Sequence, residues 1–433
     1  MALTTNGRNA PEEFRQAGLG PLDYLMRRGY VQDVSDEAAL RHAFATSTVT
    51  AYQGFDPTAT SLHAGHMLGV MMLSVLQRFG HRPIALGGGG TALVGDPSGK
   101  TATREVMSEQ RIRDNLVAIL PQFSQYIDFN GGRFGDNPPA LLVNNADWLL
   151  DLHYIPFLRD IGRHFSVNEM LAAETYKTRL EGSGLNFVEF NYRIVQAYDF
   201  LHLFRTTGCI LQLGGSDQWG NIVAGVDLIR RVESAEAFAL VSPLLTTASG
   251  QKMGKTAGNS LWLDAKQTPP FEFYQYWVNV DDLDVEKLLR LYTFLPDDVI
   301  ADLTAQGGAS LREAKRVLAL EITAIAHGAD AALQAQEAAK ALFGGAAPDI
   351  DDPNIPTVDV PQNEVGTGMS FADLAVRVGL AASKGEARRL AQQGGLHVDG
   401  NRIDDADAIW SPSAELVLVR SGKKHFRRVR ITG

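Results

Sequence analysis

Cysteine is almost absent from this chain of 433 residues: Cys209 is the only one, which excludes an intramolecular disulfide and any cysteine-rich zinc site. Positive charge is also in short supply. Lys and Arg number 40 against 50 Asp and Glu, a net charge of −10 with histidine neutral. That balance argues against a surface coated all over with nucleic acid, because phosphate contacts need Lys and Arg. A local basic patch stays compatible with it. No apolar run approaches the roughly 20 residues that span a bilayer, and residues 1–11 lack the basic head and apolar core of a secretory leader. The expectation is a soluble cytoplasmic protein. There is no internal repeat. Apolar residues, at 45%, are abundant enough to build sizeable cores, so wholesale disorder is excluded. The length suits two or three domains.

Residues 1–20 show no clear period and read as a loose lead-in. Asp36 to Phe44 is helical in pattern. Thr48 to Phe55 is β-branched and aromatic, a strand broken by Asp56-Pro57-Thr58. His66 to Phe79 is an apolar helix that Gly80 should close, and Arg82 to Leu86 is a second strand running into four glycines. Strand, turn, helix, strand is the opening of a βαβ unit, so the expected class is α/β, a Rossmann-like doubly wound parallel sheet. The junction recurs where Cys209 to Leu213 reads as a strand and Gly220 to Val232 as a helix. Ligands in such sheets lie at the carboxyl ends of strands. Asp281 to Phe343 is helical throughout. Gly344 to Glu364 then carries four prolines and five acidic residues with no basic one, the composition of an extended linker. Residues 366–433 hold 11 Lys and Arg against 7 Asp and Glu, a net +4, so the remainder carries −14.

Four constellations can carry chemistry. His63 and His66, three apart at a helix start with Gly65 between them, share a face where backbone N–H groups favour anions. A zinc pair or simple capping histidines are the alternatives, and no further ligand has matching local spacing. Gly95-Asp96-Pro97-Ser98-Gly99-Lys100-Thr101, followed by Arg104, resembles a phosphate-binding P-loop. Its glycines enclose three residues rather than the required four, so it is not one. Tyr192, Gln196 and Asp199 align on one face of a helix that is otherwise apolar nearly all round. A carboxylate buried there needs a partner, which favours a polar stripe facing a small polar ligand. Finally, Lys252 and Lys255 in a glycine-containing loop suit the charge of a polyphosphate, although such a loop is also ordinary soluble surface.

In this order the segments resemble the class I aminoacyl-tRNA synthetases. His63-Ala64-Gly65-His66 is similar to their HIGH motif and Lys252-Met253-Gly254-Lys255-Thr256 to their KMSKS loop. The nearer likeness is to the bacterial tyrosyl-tRNA synthetases, in YQGFDPTATSLHAGH (52–66), LVGDPSGK (93–100), VQAYDF (195–200) and QLGGSDQWGN (212–221). The resemblance implies a homodimer that activates tyrosine with ATP and Mg2+ as co-substrate and then charges tRNA, with no permanently bound metal or organic cofactor. By motif, Tyr52 and Asp199 would bind the phenol, and Asp96, Tyr192 and Gln196 the ammonium group. Asp56 and Gln218 would line the amino acid and its carboxylate. Gly54, Gly214 and Asp217 would receive the ribose and adenylate, with Gly65 and His66 close by. Thr58, His63, Lys100, Arg104, Lys252, Lys255 and Thr256 would stabilise the leaving pyrophosphate. Ala64 stands in for Ile in HIGH, and Gly254 and Thr256 for both serines in KMSKS. Gln53 has no assigned role. The tryptophanyl enzymes share these loops, and a non-catalytic RNA-binding relative is the other competing reading; the Tyr52/Asp199 pair and the retained histidines and lysines argue against each.

The same resemblance divides the chain into an N-terminal extension (1–20), a catalytic domain (21–245), a KMSKS-like loop with an α-helical anticodon-binding domain (246–343), the acidic linker (344–365) and a small α+β RNA-binding domain (366–433). In the last, Lys384, Arg388, Arg389, Arg420, Lys423, Lys424, Arg427, Arg428 and Arg430 would meet tRNA phosphates.

Overall fold

A computed structural model describes residues 3, 9–98, 107–182, 184–248, 250, 253–254, 260–305, 308–343, 350, 355, 357–412, 414–422 and 425–432. The expectations placed on Lys100, Arg104, Lys252, Lys255, Thr256, Lys423 and Lys424 fall outside the described residues. The chain divides into two compact units, Met1–Thr268 with Tyr276–Ala329, and Pro269–Gln275 with Asp330–Gly433.

The first unit is built on strands β1 (Asp33–Val34), β2 (Thr50–Phe55), β3 (Arg82–Gly87), β4 (Leu141–Asn144), β5 (Cys209–Gly215) and β6 (Phe238–Ser242). Their order is β1-β6-β5-β2-β3-β4. All neighbours are parallel except β1 on β6. The α/β doubly wound class expected from the sequence is therefore the class observed. A parallel sheet is covered on both faces, which is why β6 reads as an unbroken apolar run and is buried along its whole length.

The helix between β2 and β3, Ala64–Arg78, is buried continuously from Met67 to Gln77. Gly80 follows it at φ 88°, a left-handed turn that glycine makes without strain. The chain runs outward from β2 through β3 to β4, then returns to the other side of β2 as β5. The carboxyl ends of β2 and β5 thus flank a topological switch point, where a crevice opens. The long helix Phe187–Thr207 leads into β5, and Trp219–Glu233 follows it. Helices Val285–Tyr292, Asp297–Thr304 and Ala309–His327 complete this unit.

The second unit has the sheet β7-β11-β10-β8-β9, from Thr357–Pro361 (β7), Leu396–Val398 (β8), Asn401–Arg402 (β9), Leu416–Ser421 (β10) and His425–Thr432 (β11). Helices Phe371–Arg377 and Lys384–Gln392 close over a core that includes Leu374, Ala387, Trp410, Val417 and Val429.

Two expectations need correction. The lead-in is not loose over its described part. Asn9 caps a helix Ala10–Gln16, Phe14 is buried with its ring edge-on to Tyr24 at 5.1 Å, and the Ala10 N–H donates to the Phe294 carbonyl at 2.8 Å. One aromatic and two small apolar residues suffice to anchor a short segment whose period is too brief to register. Nor is 344–365 a linker throughout. Residues 357–361 form β7, parallel to β11, and Val360 and Val365 enter the core. Asp359 accepts from Arg430 at 2.8 Å and Glu364 from Arg377 at 2.9 Å. For Asp359 and Glu364 the self-repulsion expected from composition is offset by basic partners that lie later in the chain.

Candidate active site

The histidine pair sits at the start of the helix that follows β2. His63 is the N-cap of Ala64–Arg78: its Nδ1 accepts from the Gly65 N–H at 3.0 Å, and its own N–H donates to His66 Nδ1 at 3.3 Å. The two rings stack at 3.8 Å and 16°. A Cβ on Gly65 would lie 2.8 Å from His63 Cε1, so the motif's glycine makes room for the capping ring. Removal from water, with a smaller push from His63, takes His66 down to about 3. His66 is therefore neutral at pH 7, and because Nδ1 is an acceptor its Nε2 carries the proton, a donor available to an oxygen ligand. Gly54 and Thr58 are exposed beside this pair, and a Cβ on Gly54 would make only an ordinary contact with Leu86 at 3.6 Å.

Deeper in, carboxylates are held by neutral donors. Asp56 accepts from the Thr91 hydroxyl at 3.0 Å and from the Tyr192 hydroxyl at 3.5 Å. Gly88 permits this, since a Cβ there would fall 2.2 Å from Asp56 Oδ1. Asp96 accepts from the Ser98 N–H at 2.8 Å and from Gln218 Nε2 at 2.7 Å, and Asn221 ties Ser98 to Gln218 at 3.3 Å on each side. Gly214, the penultimate residue of β5, is in a packed position, where a Cβ would meet Ile222 at 2.8 Å and Gln218 at 3.2 Å. Asp217 lies beside it on the turn Ser216–Gln218.

At the floor stands Asp199, only 2% exposed. One oxygen accepts from Trp148 Nε1 at 2.7 Å and the other from Asn145 Nδ2 at 2.9 Å. Burial pushes its carboxyl up to about 7; the two hydrogen bonds act the other way and Asp56 adds to the rise. Tyr52, on β2, is buried and its hydroxyl has no partner among the described residues; its ring lies 5.3 Å from that of Phe200. Burial, then the nearby charge of Asp199, holds its phenol well above the ordinary range. Gln196 Oε1 is likewise buried without a partner among the described residues. A buried carbonyl and a buried hydroxyl without partners among the described residues, and a buried carboxyl held only by neutral donors, are polar groups whose burial is costly unless a further partner is supplied. Among the described residues no three His, Cys, Asp or Glu side chains group as a metal site.

The structure thus places Tyr52, Gly54, Asp56, Thr58, His63, Gly65, His66, Asp96, Tyr192, Gln196, Asp199, Gly214, Asp217 and Gln218 on the strands β2 and β5 and on the loops and helices around one switch point. Sequence reasoning missed Thr91, Asn145 and Trp148, which orient Asp56 and Asp199, and Ser98 and Asn221, which hold Asp96 and Gln218. The latter two lie inside motifs already singled out. Asn145 and Trp148 follow β4 with no local pattern to mark them.

In the second unit most basic side chains have acidic or carbonyl partners. Lys384 pairs with Asp373, Arg388 with Asp407 and Arg427 with Glu272. Arg428 donates to Thr357 and to the Ile350 carbonyl, and Arg420 Nε is buried without a partner among the described residues. Arg389 is exposed. Among the described residues, the basic side chains of this unit are therefore largely paired within it.

The doubly wound sheet and the histidine pair at the start of the helix after β2 are the arrangement that the resemblance to the class I aminoacyl-tRNA synthetases implies, and the comparisons with known proteins agree. The family described as tRNA synthetases class I (W and Y) matches residues 45–344, and a Tyrosine--tRNA ligase SYY-like C-terminal domain matches residues 353–429. The chain is 50% identical to the Tyrosine--tRNA ligase of Desulfosudis oleivorans, over 94% of this chain and 98% of that one. It is 49% identical to that of Clostridium tetani, over 96% of this chain and all of the other. A C-terminally truncated mitochondrial tyrosyl-tRNA synthetase of Aspergillus nidulans superposes with a TM-score of 0.69 at 31% identity, covering 77% of this chain and 97% of its own. The chain belongs to the tyrosine–tRNA ligase family.

Proposed function

We propose that the crevice activates L-tyrosine with ATP to tyrosyl-adenylate and then passes the tyrosyl group to the 3′-terminal ribose of tRNA(Tyr). The observation that carries this reading is the buried Tyr52 hydroxyl beside the Asp199 carboxyl, at the base of a switch-point crevice whose rim holds His63 and His66. The phenol of the substrate lies between Tyr52 and Asp199. Its ammonium group meets Asp96, Tyr192 and Gln196, while Asp56 and Gln218 line its reacting end.

The substrate carboxylate attacks the α-phosphorus of ATP, the bond to the β-phosphate oxygen breaks, and pyrophosphate leaves. A ribose hydroxyl of the tRNA end then attacks the acyl carbon and releases AMP. The first nucleophile is already ionised, so the protein supplies position and charge stabilisation rather than a base. Gly54, Gly65, Gly214 and Asp217 receive the adenosine, and the neutral His66 donates Nε2–H to a ribose or phosphate oxygen. Thr58, His63, Lys100, Arg104, Lys252, Lys255 and Thr256 stabilise the leaving group. Mg2+ enters on the triphosphate as part of the co-substrate.

Lys384, Arg388, Arg389, Arg420, Lys423, Lys424, Arg427 and Arg428 meet tRNA phosphates. Exposed ion pairs such as Arg388–Asp407 are screened by solvent and contribute little, so exchange of a carboxylate for a phosphate is easy. A homodimer is supported by the exposed apolar side chains Leu150, Tyr154, Ile155, Val167, Phe187 and Val188 on neighbouring elements of the catalytic unit. The enzyme works in the cytoplasm, where its tRNA is used.

The test is ATP–pyrophosphate exchange dependent on each amino acid. Exchange with tyrosine and none with tryptophan is expected; exchange with tryptophan alone would overturn the reading.

A further inference from the structure

We infer that His202 is a positioning residue for tyrosine recognition: its imidazole, stacked on the Trp148 indole, holds Trp148 where its N–H fixes one oxygen of Asp199. The inference rests on the reading of Asp199 as the acceptor of the substrate phenol, and adds a residue that does not touch the substrate.

The two donors on Asp199 are secured very differently. Asn145 is itself pinned: its carbonyl accepts from the Gly90 N–H at 2.7 Å, and its amide nitrogen also donates to the Thr91 hydroxyl at 3.0 Å. It is fully buried. Trp148 sits on a helix of only four residues, Ala146–Leu149, with no side-chain cap, and is partly exposed. Its hydrogen bond fixes where the N–H points. The tilt of the ring about that bond is set by what lies against its faces.

What lies there is His202. The two ring centroids are 4.3 Å apart and the planes 13° from parallel, a stacked pair. His202 follows Asp199 by three positions on the 21-residue helix Phe187–Thr207, so the two share a helix face. One well-anchored helix therefore presents the acceptor and also supports the donor that orients it. Behind His202 the aromatic row continues, with Tyr198 at 6.4 Å and Phe157 edge-on to Tyr198 at 5.6 Å. The indole also packs against the core that includes Tyr52 and Leu86, so without the imidazole it keeps that contact and the hydrogen bond but loses the flat support on one face. Asp199 then loses a well-aimed donor, and a ligand that bonds to Asp199 loses more than one that does not.

The experiment compares the full chain with His202→Ala, His202→Phe, Trp148→Phe, the double variant Trp148→Phe/His202→Ala, and Asp199→Ala, measuring pyrophosphate exchange with tyrosine and with phenylalanine. An aromatic stack of this kind corresponds to roughly 3- to 10-fold in an equilibrium constant. His202→Ala should raise KM for tyrosine by about that factor and narrow the tyrosine/phenylalanine ratio, with kcat and KM for ATP within about twofold of the parent. His202→Phe, which restores a flat ring, should recover most of the loss. Trp148→Phe removes the N–H, so adding His202→Ala to it should change little further.

The inference is overturned if His202→Ala keeps the parental KM for tyrosine, or if His202→Phe fails to rescue. It is also overturned if kcat and KM for ATP deteriorate together with thermal stability, as for a merely structural residue. Asp199→Ala separates the two levels. If that variant keeps full discrimination, the phenol reading itself fails; if it loses discrimination while His202→Ala does not, only the role of His202 fails.

Discussion

The helix Phe187–Thr207 carries two buried carboxylates that are treated in opposite ways. Glu189, near its start, is 4% exposed and accepts from Arg179 Nη2 on both oxygens at 2.9 Å, and its N–H donates to the capping Asn186 Oδ1 at 2.8 Å. Asp199, three turns on and 2% exposed, has only neutral donors, from Asn145 and Trp148. Glu189 is neutralised within the protein and serves the fold. Asp199 is oriented but not neutralised, so its carboxyl rises to about 7 and keeps its affinity for a further donor. The lesson is local: in one interior, an ion pair satisfies one carboxylate within the protein, while a pair of neutral N–H groups leaves the other, proposed to bind the substrate, with its charge uncompensated.

The largest expected effect tests the structural side. Glu189→Ala strands the buried Arg179 guanidinium, and unfolding free energy should fall by about 3–5 kcal/mol, measured by denaturant titration. The tyrosine/phenylalanine ratio per folded molecule should not move. A variant as stable as the parent would break the comparison.

The next effect is a pH slope. Asp199 titrates at about 7 when folded and near 3.8 when unfolded, so the folded state binds the extra proton between those values. Stability should therefore fall as pH rises from about 4 to 7, by a few kcal/mol at most. His66 opposes it: at about 3 folded against 6.5 unfolded, the unfolded state binds the proton, and stability rises with pH across that window. Subtracting the profile of Asp199→Asn isolates the carboxyl, and a flat difference curve would contradict its uncompensated burial. The smallest effect is that of the His202 stack, read out in KM rather than in stability.

Much of this was legible in the chain. The alternation of β-branched strands with glycine-closed helices gives the doubly wound sheet, and the helix spacing of Tyr192, Gln196 and Asp199 gives one polar face. Two things were not legible. Asn145 and Trp148 reach Asp199 across more than fifty residues of sequence, a juxtaposition that only sheet order creates. The acidic, proline-rich composition of 344–365 concealed β7, because Val358 and Val360 supply too short an alternation to outweigh it and the arginines that neutralise it lie further along the chain.

The central claim is that Asp199 reads a hydroxyl. A site built to bond a hydroxyl rejects the analogue lacking it because its buried polar groups are left unpaired, a rule for which tyrosyl-tRNA synthetases are themselves the usual example. The most direct measurement is kcat/KM for tyrosine and for phenylalanine in pyrophosphate exchange, for the parent and for Asp199→Ala. The account predicts that the substitution collapses the preference mainly by losing tyrosine. An unchanged tyrosine/phenylalanine ratio in Asp199→Ala would contradict it.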